Sequence, residues 1–216
     1  MSYQTLLVAV DEELERCGRP RGSVRIVGVS KQQTVDRVRA AIAGGLRDIG
    51  ENYLQEARRK FELLPPVRKH FIGHLQTNKA RAVAALFDVV QSVDRAEAAL
   101  ALSTAVKRLG KELRVLLQVN ISPQERFGCL PERAPALAEM VRAQAGLRLD
   151  GIMAIGPASE DHSEISRAFE LAAKTFDRVG GSTLSIGMSG DWPLAVRAGS
   201  TMIRIGTALF GGRSTT

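Results

Sequence analysis

The chain has 216 residues, 44% hydrophobic and 25% charged, with a formal net charge of +7. That length holds one domain of barrel size or two small ones, and no apolar run approaches the ~20 residues needed to cross a bilayer. The basic residues are spread along the chain with little aromatic interleaving, which argues for solvated basic faces and against a nucleic-acid surface.

The N-terminal run MSYQTLLVAVDEELERCG carries acids early and lacks a basic flank and cleavage site. It reads as an amphipathic helix and not as a signal peptide. Cys17 and Cys129 lie far apart, as expected of unpaired thiols in a reducing cytosol. No cluster has metal-ligand spacing. A cytoplasmic protein without a metal is expected.

After the RPRGS connector the pattern alternates without a break. Val24–Ser30 is β-branched and apolar, as in a parallel strand covered on both faces. A helix over Thr34–Ala43 is closed by Gly44-Gly45. Asp48-Ile49-Gly50 ends a second strand, and Asn52–Leu64 is helical until Pro65-Pro66 stops it. A strand at His70–Gly73 precedes a helix over Asn78–Leu86, and Phe87–Ser92 is the fourth strand. Asp94 is expected to cap a helix running to Leu109. Leu113–Asn120 is the clearest strand, followed by a helix over Pro131–Ala145. Strands at Leu147–Ile155, Thr183–Met188 and Thr201–Ile205 alternate with helices at Ser163–Val179 and Asp191–Ala198. Eight strands alternating with helices predict a parallel sheet, and the count favours a closed (β/α)8 TIM barrel. Residues 1–216 are expected to form one such domain with an extra N-terminal helix.

Active groups in this fold gather where strands end. The strand ends here are Lys31, Glu51-Asn52, His74, Asn120, Met153, Ser189 and Gly206-Thr207. Lys31 shares a strand face with Val27 and Val29. If that face points inward, desolvation favours the neutral amine, which can attack a carbonyl. The bland alternative is a surface lysine. Phosphate sites in this fold often follow strands seven and eight. Those ends read GMSGD and RIGT, where small residues admit close backbone approach and hydroxyls donate. Arg204 shares a face with Met202, so an inward face puts a permanent cation in the barrel; a structural ion pair with Asp191 or Glu51 is the alternative. The basic cluster Arg58–Lys60 reads as a helix surface, and lone His70 as satisfied by backbone. An amine, a phosphate cradle and an inward arginine together suit pyridoxal 5′-phosphate (PLP).

The segments VGVSK, DIGENYLQEARRK, HFIGHLQTNK, QSVD, LLQVN and LSIGMSGDWPLAVRAGSTMIRIGTALFG occur in that order. Together they resemble the pyridoxal phosphate homeostasis proteins. The resemblance implies the alanine-racemase-type PLP barrel as a single domain. It implies that Lys31 is the lysine that forms a Schiff base with PLP. It also implies that Ser189, Gly206 and Thr207 bind the phosphate, that Arg204 meets the pyridine nitrogen, and that Asn52 approaches the cofactor. Where the family often has proline after the lysine, this chain has Gln32-Gln33-Thr34, and Ile186 replaces a methionine before GMS. Neither departure touches an expected contact.

An arginine on the pyridine nitrogen keeps it unprotonated and weakens the ring as an electron sink. Racemisation needs acid–base groups on both faces of the substrate carbon. The racemases take one from a tyrosine on an added β-domain, for which the chain shows no counterpart; Tyr53 is the one rival, and it reads as a packing residue. The expected function is a non-catalytic PLP carrier in vitamin B6 homeostasis, with PLP-dependent apo-enzymes as recipients. A PLP-dependent amino-acid racemase on the same barrel is the alternative. A monomer is expected.

Overall fold

The computed structural model describes residues 1–124 and 126–212. Helix α1 (Tyr3–Arg16) precedes eight strands: β1 (Arg25–Val29), β2 (Asp48–Glu51), β3 (Arg68–Phe71), β4 (Val89–Val93), β5 (Leu113–Asn120), β6 (Leu147–Ile155), β7 (Thr183–Ser185) and β8 (Met202–Ile205). Between and after them run α2 (Val35–Ala43), α3 (Leu54–Phe61), α4 (Ala80–Leu86), α5 (Ala96–Leu109), α6 (Ala134–Arg142), α7 (His162–Val179), α8 (Trp192–Arg197) and α9 (Thr207–Phe210). Neighbouring strands pair in parallel in chain order. β1 pairs β8 and closes the barrel, with Val27 opposite Arg204 and Gly28 opposite Ile205.

The two-residue period of each strand sorts its side chains into two compartments. Ile26, Ile49, Phe71, Leu117 and Ile203 face outward into one large apolar layer under the helices. A β-carbon on Gly28 would lie 2.6 Å from Leu46 and 3.1 Å from Phe210, so this face must be bare for the helices to seat. The other face looks into the barrel. A β-carbon on Gly50 would meet Val27 at 3.1 Å and Ile72 at 3.2 Å. Val27 therefore points inward, and Val29 shares that side.

Side-chain caps mark the starts of three of the nine α-helices among the described residues, α1, α2 and α7. Thr34 and Asp161 accept hydrogen bonds from Arg37 N and Ser163 N and cap α2 and α7. Asp94 does not cap α5; the cap position is Arg95, and the Asp94 carboxylate takes the Arg95 guanidinium at 2.6 Å instead. A nearby charge has outbid the backbone N–H groups. α3 starts two residues later than expected and α6 three residues later than Pro131. β7 stops at Ser185 because Gly187 adopts φ +96°, and a β-carbon there would lie 2.6 Å from Ala195.

Candidate functional site

Lys31 lies two residues beyond β1, after Ser30, and is half-buried at the C-terminal mouth of the barrel. The peptides on either side of it are clamped. Ser30 O accepts from Gln33 N at 3.0 Å, closing a four-residue turn with Lys31 inside it. Gln32 holds φ +57°, the left-handed region that costs most residues about 1–2 kcal/mol. Its N–H donates to Glu56 Oε1 at 2.7 Å, which pins the strained residue. Ser30 O also accepts from Lys60 Nζ at 2.5 Å. Lys60 Nζ in turn bridges Glu51 Oε1 at 2.6 Å and Glu56 Oε1 at 2.9 Å. Ser30 Oγ donates to the same Glu51 oxygen at 2.6 Å.

Lys60 is therefore not the solvated residue that its cluster suggested. It is 5% exposed and Glu51 is fully buried. Burial pushes the Glu51 pKa up, against the pull of the Lys60 ammonium. The reason lies in side-chain direction: Glu51 faces the helix layer on β2, and α3 turns Lys60 onto it. A lone charge there would be too costly to bury, so the pair stands or falls together.

The strand-seven and strand-eight ends meet beside this turn. Ser189 Oγ accepts from Ala208 N at 3.2 Å, tying the β7–α8 loop to α9. Asp191 Oδ1 accepts from Met188 N at 2.5 Å, reaching back into the loop instead of capping α8. Gly206 sits at the N-cap of α9, and a β-carbon on it would lie 3.6 Å from the Val29 β-carbon. The strand that leads to Lys31 thus runs against the Gly206-Thr207 corner. Gly190 has open space around it, and Thr207 is exposed at the start of α9. First-turn N–H groups lack partners within a helix.

Arg204 lies inside the barrel, 4% exposed. Nη1 donates to Ser185 O at 2.7 Å and Ser185 Oγ at 2.8 Å, and Nη2 donates to Ala154 O at 2.8 Å. Three of its five N–H donors are used, which leaves two for a ligand. Its partners are a carbonyl pair and a hydroxyl, with no carboxylate within ion-pairing range among the described residues. The ion-pair alternative therefore fails. Burial pushes the guanidinium down to about 10, partly offset by the field of Asp191. Asn52 follows β2, and its buried Oδ1 has no hydrogen-bond partner among the described residues.

Other strand ends serve structure. Asn120 Oδ1 accepts from Ser122 N at 3.0 Å and turns the β5–α6 loop. Met153 is buried. His74 stacks on Phe127 with ring centroids 3.8 Å apart and lies 3.7 Å from Asp94. Phe127 also lines a 470 Å³ cavity with Gln118, Asn120, Arg126 and Ile155. Tyr53, expected to pack, is 57% exposed. His70 is satisfied by the Asp48 and Gln91 side chains, not by backbone. No group of three metal-ligating side chains exists among the described residues, and no helix is long and apolar enough to cross a membrane.

A closed eight-stranded parallel barrel with helices around it, a lysine after its first strand and glycine-rich turns after its last two, is of the (β/α)8 class. The family described as "Alanine racemase, N-terminal domain" matches residues 9–214. A pyridoxal phosphate homeostasis protein of Pseudomonas aeruginosa is 44% identical over 94% of this chain and 91% of its own. PipY of Synechococcus elongatus, solved with PLP bound, superposes with TM-score 0.80 at 34% identity over 94% of this chain and all of its own. A Bifidobacterium adolescentis protein of unknown function superposes with TM-score 0.87 at 34% identity, over 96% of this chain and 92% of its own. The chain belongs to the alanine racemase N-terminal domain family and, within it, to the pyridoxal phosphate homeostasis proteins.

Proposed function

We propose that the chain binds PLP at the barrel mouth and serves as a carrier in PLP homeostasis. The carrying observation is the meeting of β1 and β8: Val29, two residues before Lys31, lies against Gly206, with Arg204 below and donors to spare. The residues fit the cofactor's chemistry. An orphaned acceptor at Asn52 Oδ1 suits a ring hydroxyl, and the open corner at Gly190, Ser189, Gly206 and Thr207 suits a phosphate. Arg204 suits the ring nitrogen, because a guanidinium donates and does not accept.

When bound, PLP supplies an aldehyde that condenses with a primary amine with loss of water. Lys31 offers that amine, and its turn is held still by Glu56 and Lys60. A guanidinium that keeps its proton would hydrogen-bond the ring nitrogen without protonating it. That weakens carbanion chemistry and supports a holding role over a catalytic one. The naming of relatives as homeostasis proteins supports the same reading. Apo-enzymes that need PLP are the proposed recipients, and the cytoplasm is the proposed location.

Spectrophotometric titration tests this. Wild-type protein is expected to develop visible absorbance with PLP and to retain it through desalting. Lys31→Ala is expected to develop none above that of free PLP. Equal retention by both proteins, or by neither, contradicts the proposal.

A further inference from the structure

A line of polar side chains crosses the barrel interior beneath the mouth. Arg204 Nη1 donates to Ser185 Oγ at 2.8 Å, and Ser185 Oγ donates to Gln91 Oε1 at 2.8 Å. Gln91 Nε2 lies 2.9 Å from His70 Nδ1, and His70 Nε2 lies 2.9 Å from Asp48 Oδ1. The five residues come from β8, β7, β4, β3 and β2, and none is more than 5% exposed. Asp48 at the far end is shared with Arg68 at 3.4 Å and Arg25 at 3.9 Å.

With His70 neutral in this buried setting, the two ends set the direction of every bond. A guanidinium has no acceptor, and an ionised carboxylate has no donor. Between them each group must accept on the Arg204 side and donate on the Asp48 side. Gln91 therefore turns its carbonyl to Ser185 and its amide N–H to His70. His70 is then the neutral tautomer with its proton on Nε2. The second Gln91 N–H is used on Met202 Sδ at 3.3 Å, so the amide is satisfied on both sides. A flipped Gln91 would set its carbonyl against Nδ1 and require an imidazolium in a dry interior, a costly state.

The chain has a consequence at the mouth. Ser185 has committed its proton downward to Gln91, so its lone pair stays free for Arg204. With Ser185 O and Ala154 O, that holds the guanidinium at three points. We propose that Ser185, Gln91 and His70 are positioning residues that hold Arg204 as a donor to the pyridine nitrogen of bound PLP. This rests on the PLP reading above and adds which residues set the ring-nitrogen contact.

The test compares PLP with its deaza analogue, which keeps aldehyde and phosphate but carries C–H in place of the ring nitrogen. Wild-type protein is expected to bind PLP about tenfold more tightly than the analogue, the worth of one aimed charge-assisted hydrogen bond. Gln91→Leu is expected to bring the two affinities together by weakening PLP alone. Gln91→Glu keeps an acceptor for Ser185 and is expected to restore the preference. The introduced carboxylate also calls for a proton on His70 Nδ1, which ¹⁵N NMR of the cofactor-free protein reads directly. In wild type the same spectrum is expected to show His70 protonated on Nε2 alone.

Equal loss of both ligands in Gln91→Leu would show general loosening and overturn the proposal, as would an unchanged preference. A wild-type His70 protonated on Nδ1 would overturn it without any cofactor. Failure of wild type to bind PLP at all sinks the carrier reading, whereas binding without preference for the ring nitrogen sinks only the positioning role.

Discussion

His70 is the residue whose burial has the clearest solution signature. It is fully buried between Asp48 and Gln91. Burial pushes its pKa below the ordinary 6.5, and the attraction of Asp48 offsets only part of that. The unfolded chain therefore binds the extra proton first, and stability falls as pH drops below about 6.5. For Asp48, burial alone would raise the pKa, but the His70 hydrogen bond and the charges of Arg25 and Arg68 outweigh it and hold it low. Its contribution is present above 3.8 and is lost as pH falls through its lowered value. Glu51 and Asp191 are raised by burial and act with the opposite sign, losing their contribution as pH rises through their raised values. Between about pH 6.5 and 5 protonation of His70 opposes folding, and comparison with a variant that lacks the imidazole separates it from Glu51 and Asp191. Thermal melts of wild type across that window should show Tm falling with acid. His70→Gln should melt lower at pH 7 but with a flatter slope. Parallel slopes would contradict the assignment.

At the scale of elements, the Glu51–Lys60 pair joins β2, α3 and the Lys31 turn. Lys60→Met leaves a buried carboxylate without its partner and is expected to cost about 3–5 kcal/mol. Glu51→Met with Lys60→Met should recover most of that loss in urea melts, because an apolar pair needs no desolvation. The single variant should also speed amide exchange at Gln32 and Gln33, whose turn has lost its clamp on Ser30 O. A single variant as stable as wild type would contradict the buried-pair account.

The sequence carried some elements to the residue and others poorly. β5 and β6 were legible because long apolar runs end in turn residues. α9 was not, since four residues carry no period. Lys31, Ser189 and Gly206-Thr207 were legible as strand ends. Lys60 was not, because a basic residue on an amphipathic helix reads as exposed until the face that meets Glu51 is known. The interior chain was hidden for a related reason. Alternation says that His70, Gln91 and Ser185 point inward, but not that residues on different strands share one height in the barrel.

The whole molecule depends on closure of β8 against β1, since the proposed site is split between the first and last strands. α1 supports that seam by packing on α8. Glu13 accepts from Arg197 at 2.6 Å, and Arg19 donates to Val196 O at 2.7 Å and Ser200 O at 2.8 Å. Leu6, Val10 and Leu14 are fully buried there, worth roughly 5–9 kcal/mol of apolar transfer, comparable to a domain's total stability. Removing residues 1–18 is expected to abolish cooperative unfolding as seen by calorimetry, and a sharp transition near the wild-type Tm would contradict that role.

The proposed binding of PLP needs the Lys31 amine, just beyond β1, to reach the corner that follows β7 and β8. Borohydride reduction of PLP-loaded protein, followed by peptide mapping, reads this directly. A single pyridoxyl group on the peptide bearing Lys31 is the predicted result. Label spread over surface lysines, or absent from Lys31, would contradict it.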